Sequence, residues 1–120
     1  MRHYFASRPN IGTDIVVREY STDMIAGRRY YLPQRSDLKY HDSIGFDWGN
    51  EDMRSANLSL CLLADVTGDD VLACELHRKF MRDVIAGLDR DQWVLHEVKL
   101  FMFIKMYVRA SERELSHDRR

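Results

Sequence analysis

LSLCLLADVTGDDVLA, Leu58 to Ala73, is the stretch on which the fold turns. Leu58, Leu62 and Val66 recur at four-residue steps and Leu60 and Leu63 widen the stripe, which predicts a helix beginning just after Asp52. Thr67-Gly68 stops it, because glycine reaches the left-handed conformation of a helix end without a Cβ clash. Asp69 then offers a carboxylate to the free N–H groups of a new first turn. The second helix is expected from about Asp70 to Gly87, with Leu72, Leu76, Phe80, Val84 and Leu88 inward and Glu75, Arg78, Lys79 and Arg82 outward. Residues 53–88 therefore read as a helical hairpin.

Upstream the period changes. HYFAS, DIVVREY and RRYYLP are rich in β-branched and aromatic residues and are punctuated by Pro9, Gly12, Gly27 and Pro33, so residues 1–40 are expected to form about three short antiparallel strands. In the middle run Ile15, Val17 and Glu19 alternate with Val16, Arg18 and Tyr20. Between the two halves lies HDSIGFDWGN, residues 41–50, which looks like neither helix nor strand. Gly45 permits a turn, Phe46 and Trp48 alternate toward the core, and Asp42 or Ser43 can cap local backbone donors, so 41–52 reads as an aromatic connecting loop. Downstream, a short DRDQ loop leads to a C-terminal helix over 93–115 with two apolar stripes, one through Val98, Phe101 and Met102 and one through Leu100, Phe103 and Tyr107. The expected fold is a single α+β domain over 1–120: a small antiparallel sheet, a helical hairpin and a C-terminal helix.

With 120 residues, 45% of them apolar and 31% charged, the chain is long enough for one real core. Its 18 basic residues against 19 acidic ones give no global electrostatic case for nucleic acid or an anionic membrane, so nucleic-acid binding is not the expectation. MRHYFASRPNIG carries no apolar signal core, and no run approaches the roughly 18 apolar residues of a membrane span, so a cytoplasmic protein is expected. Cys61 and Cys74 lack metal-ligand spacing and read as small apolar fillers, although a hairpin about Gly68 would bring them to one level.

Chemistry has few footholds. His41, Asp42 and Asp47, with Glu51 and Asp52 just beyond, form the densest acid-imidazole cluster and the alternative reading as a metal-assisted hydrolase or nuclease site, yet their spacing matches no known ligand pattern. Asp65, Asp69 and Asp70 flank the Gly68 turn and could hold a divalent cation through carboxylate oxygens, but the last two are explained by helix capping and the dipole without a metal. The hairpin imitates a helix-turn-helix, but the N-terminal turns of its second helix carry Asp69, Asp70 and Glu75, which repel phosphate. Arg28, Arg29, Tyr31 and Arg35 combine cations with aromatic rings, as single-strand nucleic-acid binders do. There is no G-x-S-x-G motif, and His77 has no partner motif. No catalytic residue, metal or cofactor is expected.

The order of motifs, GRRYYL, RSDL, HDSIGFDWG, LLADVTGDDVLA and VIAGLDRDQWVL, resembles a small domain family of unknown function found in bacteria, phages and mobile elements. The likeness runs to about Leu95. It implies a genomic setting and a compact fold, with no activity attached. Two departures stand out: NEDMRSAN replaces a Gly-rich, Pro-containing loop after the Trp-Gly, and His96 stands where the family places a Ser or Thr before a shorter, acidic helix. Together these lead to the expectation of a non-enzymatic binding protein that blocks or modulates a protein partner, such as a counter-defence factor. The contact would be made through Leu100, Phe103 and Tyr107 of the C-terminal helix, or the chain would pair with itself there.

Overall fold

The helical hairpin forms the centre of the molecule, and its ends are set by the residues that sequence chemistry assigns to them. The structure, a computed structural model, describes residues 1–7, 15–20, 26–38 and 45–118, and side chains over these except at 16, 20, 26 and 111–118. Helix α1 runs Met53–Thr67, and the Asp52 side chain at its N-cap accepts the N–H groups of Arg54 at 2.9 Å and Ser55 at 3.1 Å. It ends at Gly68 (φ 67°), whose N–H returns to the Ala64 carbonyl at 2.9 Å. Asp69 then caps α2, Asp70–Asp83, by accepting the N–H of Leu72. Helix α2 is shorter than its periodicity implies, because the chain tightens into a 3₁₀ turn at Ile85–Gly87. Its buried residues are Ala73, His77, Phe80 and Met81, while Leu72, Leu76 and Val84 are only half-buried.

Helix α1 is buried at every position from Ser55 to Ala64. Its polar members are satisfied internally: the Ser59 hydroxyl donates to the His77 carbonyl at 2.5 Å, and Asn57 donates to the Gly45 carbonyl at 3.0 Å.

The sheet has four strands, one more than expected. Strands β1 (Arg2–Ser7), β2 (Val16–Tyr20), β3 (Ala26–Tyr31) and β4 (Gln92–His96) are all antiparallel, in the order β3-β2-β1-β4. Residues 93–96, expected to open the C-terminal helix, instead belong with Gln92 to the strand that pairs with β1, and α3 occupies Glu97–Asp118. The alternation of QWVLH, with Trp93 and Leu95 buried, is a period of two lodged against a helical sequence. A bulge disturbs the pairing of β2 and β3 between Arg18 and Tyr20, and Gly27 sits against it. A Cβ there would stand 2.6 Å from the Glu19 carbonyl oxygen, so the site admits only glycine without a backbone shift.

All four strands turn one face inward: Tyr4, Ala6, Val17, Trp93 and Leu95 meet the helices in one core, with the half-buried Tyr30 of β3 packed against it. Phe46 and Trp48 enter that core from the connecting segment, 1% and 3% exposed. Trp48 packs edge-on against Trp93 at 5.8 Å and donates its indole N–H to the Arg90 carbonyl. The described part of the loop, from Gly45 onward, is thus an aromatic plug joining sheet to hairpin.

Candidate partner-binding site

Helix α3 leaves β4 directly, so its first turn is fixed by the sheet and its orientation by what it meets on α2. Leu100 and Ile104 are 1% and 7% exposed, and Phe103 packs edge-on against Phe80 at 5.0 Å. Tyr107 packs edge-on against Phe103 at 4.4 Å, donates its hydroxyl to Asp83, and carries the Lys79 ammonium 4.3 Å above its ring. Burial, then the bond to Asp83, pushes the Tyr107 phenol above its usual range.

Leu100, Phe103 and Tyr107, expected to meet a partner, therefore form the stripe that seals α3 to the body. The other stripe faces solvent: Val98, Phe101, Met102 and Met106 are 50%, 43%, 63% and 69% exposed. The two stripes exchange roles because both are apolar, and the burial of Leu100 and Ile104 in the core, with Phe103 against Phe80, decides between them. Lys99, Lys105 and Arg109, all exposed, stand among the outward apolar residues. Phe103→Ala should cost about 2 kcal/mol, since its ring is partly buried, whereas Phe101→Ala should stay within about 0.5 kcal/mol. Thermal melts of the two variants separate the stripes.

The arginine stretch divides. Arg28 lies over the Tyr30 ring at 4.6 Å with Glu19 3.4 Å away, and Arg35 is clamped to Asp37 and Asp70 at 2.9 and 2.8 Å. Arg35 thereby ties the end of the sheet to the start of α2, a structural duty. Arg29 and Tyr31 point to the opposite face of the sheet and are exposed.

Of the acidic loop, His41 and Asp42 lie outside the described residues. Asp47 is engaged locally: its carboxylate accepts the N–H of Trp48 and the amide of Asn50, both at 2.8 Å, with Arg90 3.6 Å away. Among the described residues, no three His, Cys, Asp or Glu side chains come together in a way that could hold a metal ion.

The acids at the hairpin turn are also placed. Asp65 accepts hydrogen bonds from the hydroxyls of Tyr4 and Tyr30, both at 2.7 Å, and Arg2 donates to its carbonyl. Arg2 also binds Glu19 at 2.8 Å, and this bond holds the Glu19 carboxyl below its usual range. Arg2, Glu19 and Arg28 line a surface cleft of about 420 Å³ with Met1, Gly27, Val66 and Glu97. Sequence reasoning missed this network. Its signal was an acid inside the apolar run LLADV, where an unpaired carboxylate would be costly.

Cys61 and Cys74 are free thiols, one buried and one half-buried. Burial pushes the Cys61 thiol up to about 11, so it is a packing group and no nucleophile. No helix among the described residues is long and apolar enough to cross a membrane.

No curated protein and no solved structure matches the chain. The profile of the family of unknown function DUF6166 matches residues 4–106, from the first strand through the exposed part of α3, and the chain belongs to that family.

Proposed function

We propose that the protein is a cytoplasmic, non-enzymatic binding module that docks the outward stripe of α3 into an apolar groove on an acidic protein partner. The observation that carries this reading is that Val98, Phe101, Met102 and Met106 stand exposed on a helix whose other face is already sealed by Leu100, Phe103 and Ile104. Contiguous exposed apolar side chains on a small domain mark interaction surfaces, and methionines suit a partner surface to which they must adapt. The cations at 99, 105 and 109 select an acidic rim, and they oppose pairing of this stripe with a second copy, where like charges would meet. An amphipathic helix read by i, i+3, i+4 anchors is an established recognition mode. The resemblance to phage and mobile-element proteins supports a role in blocking or modulating a host component, with counter-defence as one such role.

The test uses tagged protein on a host lysate treated with nuclease, beside light scattering of the purified chain. The expected result is a monomer that retains one acidic protein in equal amount, and a Met102→Glu, Met106→Glu variant that melts normally and retains none. Retention that is indifferent to these substitutions would overturn the proposal, as would a dimer that they dissociate.

A further inference from the structure

The outward face of the sheet carries a second surface, independent of α3. The strand register sets Arg29 against Arg18, Arg18 against His3, and His3 against His96, so four cationic or titratable side chains form one row across all four strands. Two residues along, Tyr31, Phe5 and Val94 lie in a neighbouring row. The face is open to solvent: Tyr31 is 62% exposed and Val94 48%, and Arg18, Arg29 and His96 are exposed.

Such an arrangement works against the sheet. Like charges directly opposite one another on antiparallel strands destabilise the pairing, and here Arg18 faces Arg29 while the rings of His3 and His96 touch at 4.4 Å. No outward position among the described strand residues carries an acid to offset them; Glu19 turns to the other face, where Arg2 holds it. Arg18 lies over the Phe5 ring at 5.4 Å, which orients a guanidinium beside an aromatic face. Places where a protein departs from the local rules of stability are where function is expected.

We propose that this face is a platform for single-stranded nucleic acid, with Tyr31 and Phe5 stacking on bases and Arg18 and Arg29 holding phosphates. The occupant follows from chemistry. The face offers flat π surfaces two strand spacings apart, about 10 Å, with a row of cations running alongside them, which suits a ligand that carries planar bases beside a line of negative charges. An acidic peptide would use the arginines and leave the rings unused. A duplex buries its base faces and would find nothing to stack on Tyr31. Arg28 and Arg35 are not part of the site, because they are engaged on the inner side and at the sheet end.

Fluorescence anisotropy with a labelled 15-nucleotide oligothymidylate or oligouridylate and the full chain tests this. Binding is expected at low salt. Tyr31→Ala should weaken it about 5- to 150-fold, the range of one stacked base, while Tyr31→Phe should bind as the wild type does, which a folding defect could not imitate. Arg18→Ala with Arg29→Ala should flatten the dependence of log K on log salt by about 1.4, the share of two phosphate contacts. Met106→Glu should leave binding unchanged. The proposal is overturned by no anisotropy change at 100 µM protein, by binding that Tyr31→Ala leaves intact, by equal binding of a duplex, or by displacement of the oligonucleotide by an equal charge of polyglutamate.

Discussion

Trp48→Ala is expected to lower stability by about 4 kcal/mol, and the melting temperature by on the order of 15 °C, the largest effect of any single truncation considered. The indole is 3% exposed and lies against Trp93, between the sheet and the hairpin. Its removal leaves a cavity that two rigid layers cannot close by small movements, because neither the capped end of α1 nor strand β4 is free to shift. It also removes the donor to the Arg90 carbonyl, 3.2 Å away. Trp48→Phe keeps most of the volume and loses that bond, so it should cost only about 1–2 kcal/mol. Urea titration followed by the fluorescence of Trp93 measures both. A loss under 1 kcal/mol for the alanine variant would mean that the segment rests on the surface of the core and does not plug it.

Asp65→Ala should cost about 3 kcal/mol, for a different reason. Asp65 accepts two phenolic hydroxyls, and Tyr4 is fully buried, so its hydroxyl would be left without an acceptor and away from water. The half-buried Tyr30 can recover part of its loss from solvent. A pH profile separates this network from simple loss of packing. Burial, then the bond to Asp65 and its charge, holds the Tyr4 phenol well above its usual value near 10. A group whose folded pKa is raised contributes stability that is complete below the unfolded value and is lost as pH rises through and beyond it. The wild type should therefore lose stability above pH 10. The alanine variant should lose less, because the contribution of Asp65 has already gone. Identical alkaline slopes in the two proteins would show that Asp65 does not act through Tyr4.

What could be read from the chain follows the range of the interactions involved. The hairpin was legible because its determinants lie within a few residues of one another: Asp69 caps the helix that begins beside it, and Gly68 ends the one before. Phe46 and Trp48 were legible as core because large aromatic rings beside a glycine turn have few other places to go. Strand β4 was not, since its five residues run straight into a helical pattern and their partner, β1, lies at the other end of the chain. The two faces of α3 were both visible as apolar, but nothing local ranks Phe103 above Phe101; the ranking comes from distant parts of the chain, Phe80 among them. The aromatic and cationic rows of the sheet are likewise a product of register. Arg18 and Arg29 become neighbours only once β2 and β3 pair, so a contiguous basic stretch such as Arg28-Arg29 does not reveal which cations share a face.

The strand order carries a consequence for how the protein is made. Strand β1 needs β2 on one side and β4 on the other, and residues 92–96 leave the ribosome long after residues 2–7. A chain that forms its first three strands in that interval would hold β1 with one row of backbone donors and acceptors unpaired. An open edge of this kind invites a strand from a neighbouring chain, and pairing between the ends of a sequence is slow. Translation halted after Leu88 should therefore yield a species that aggregates through β1, and supplying the peptide of residues 89–118 in trans should suppress that aggregation by filling the vacant place in the sheet.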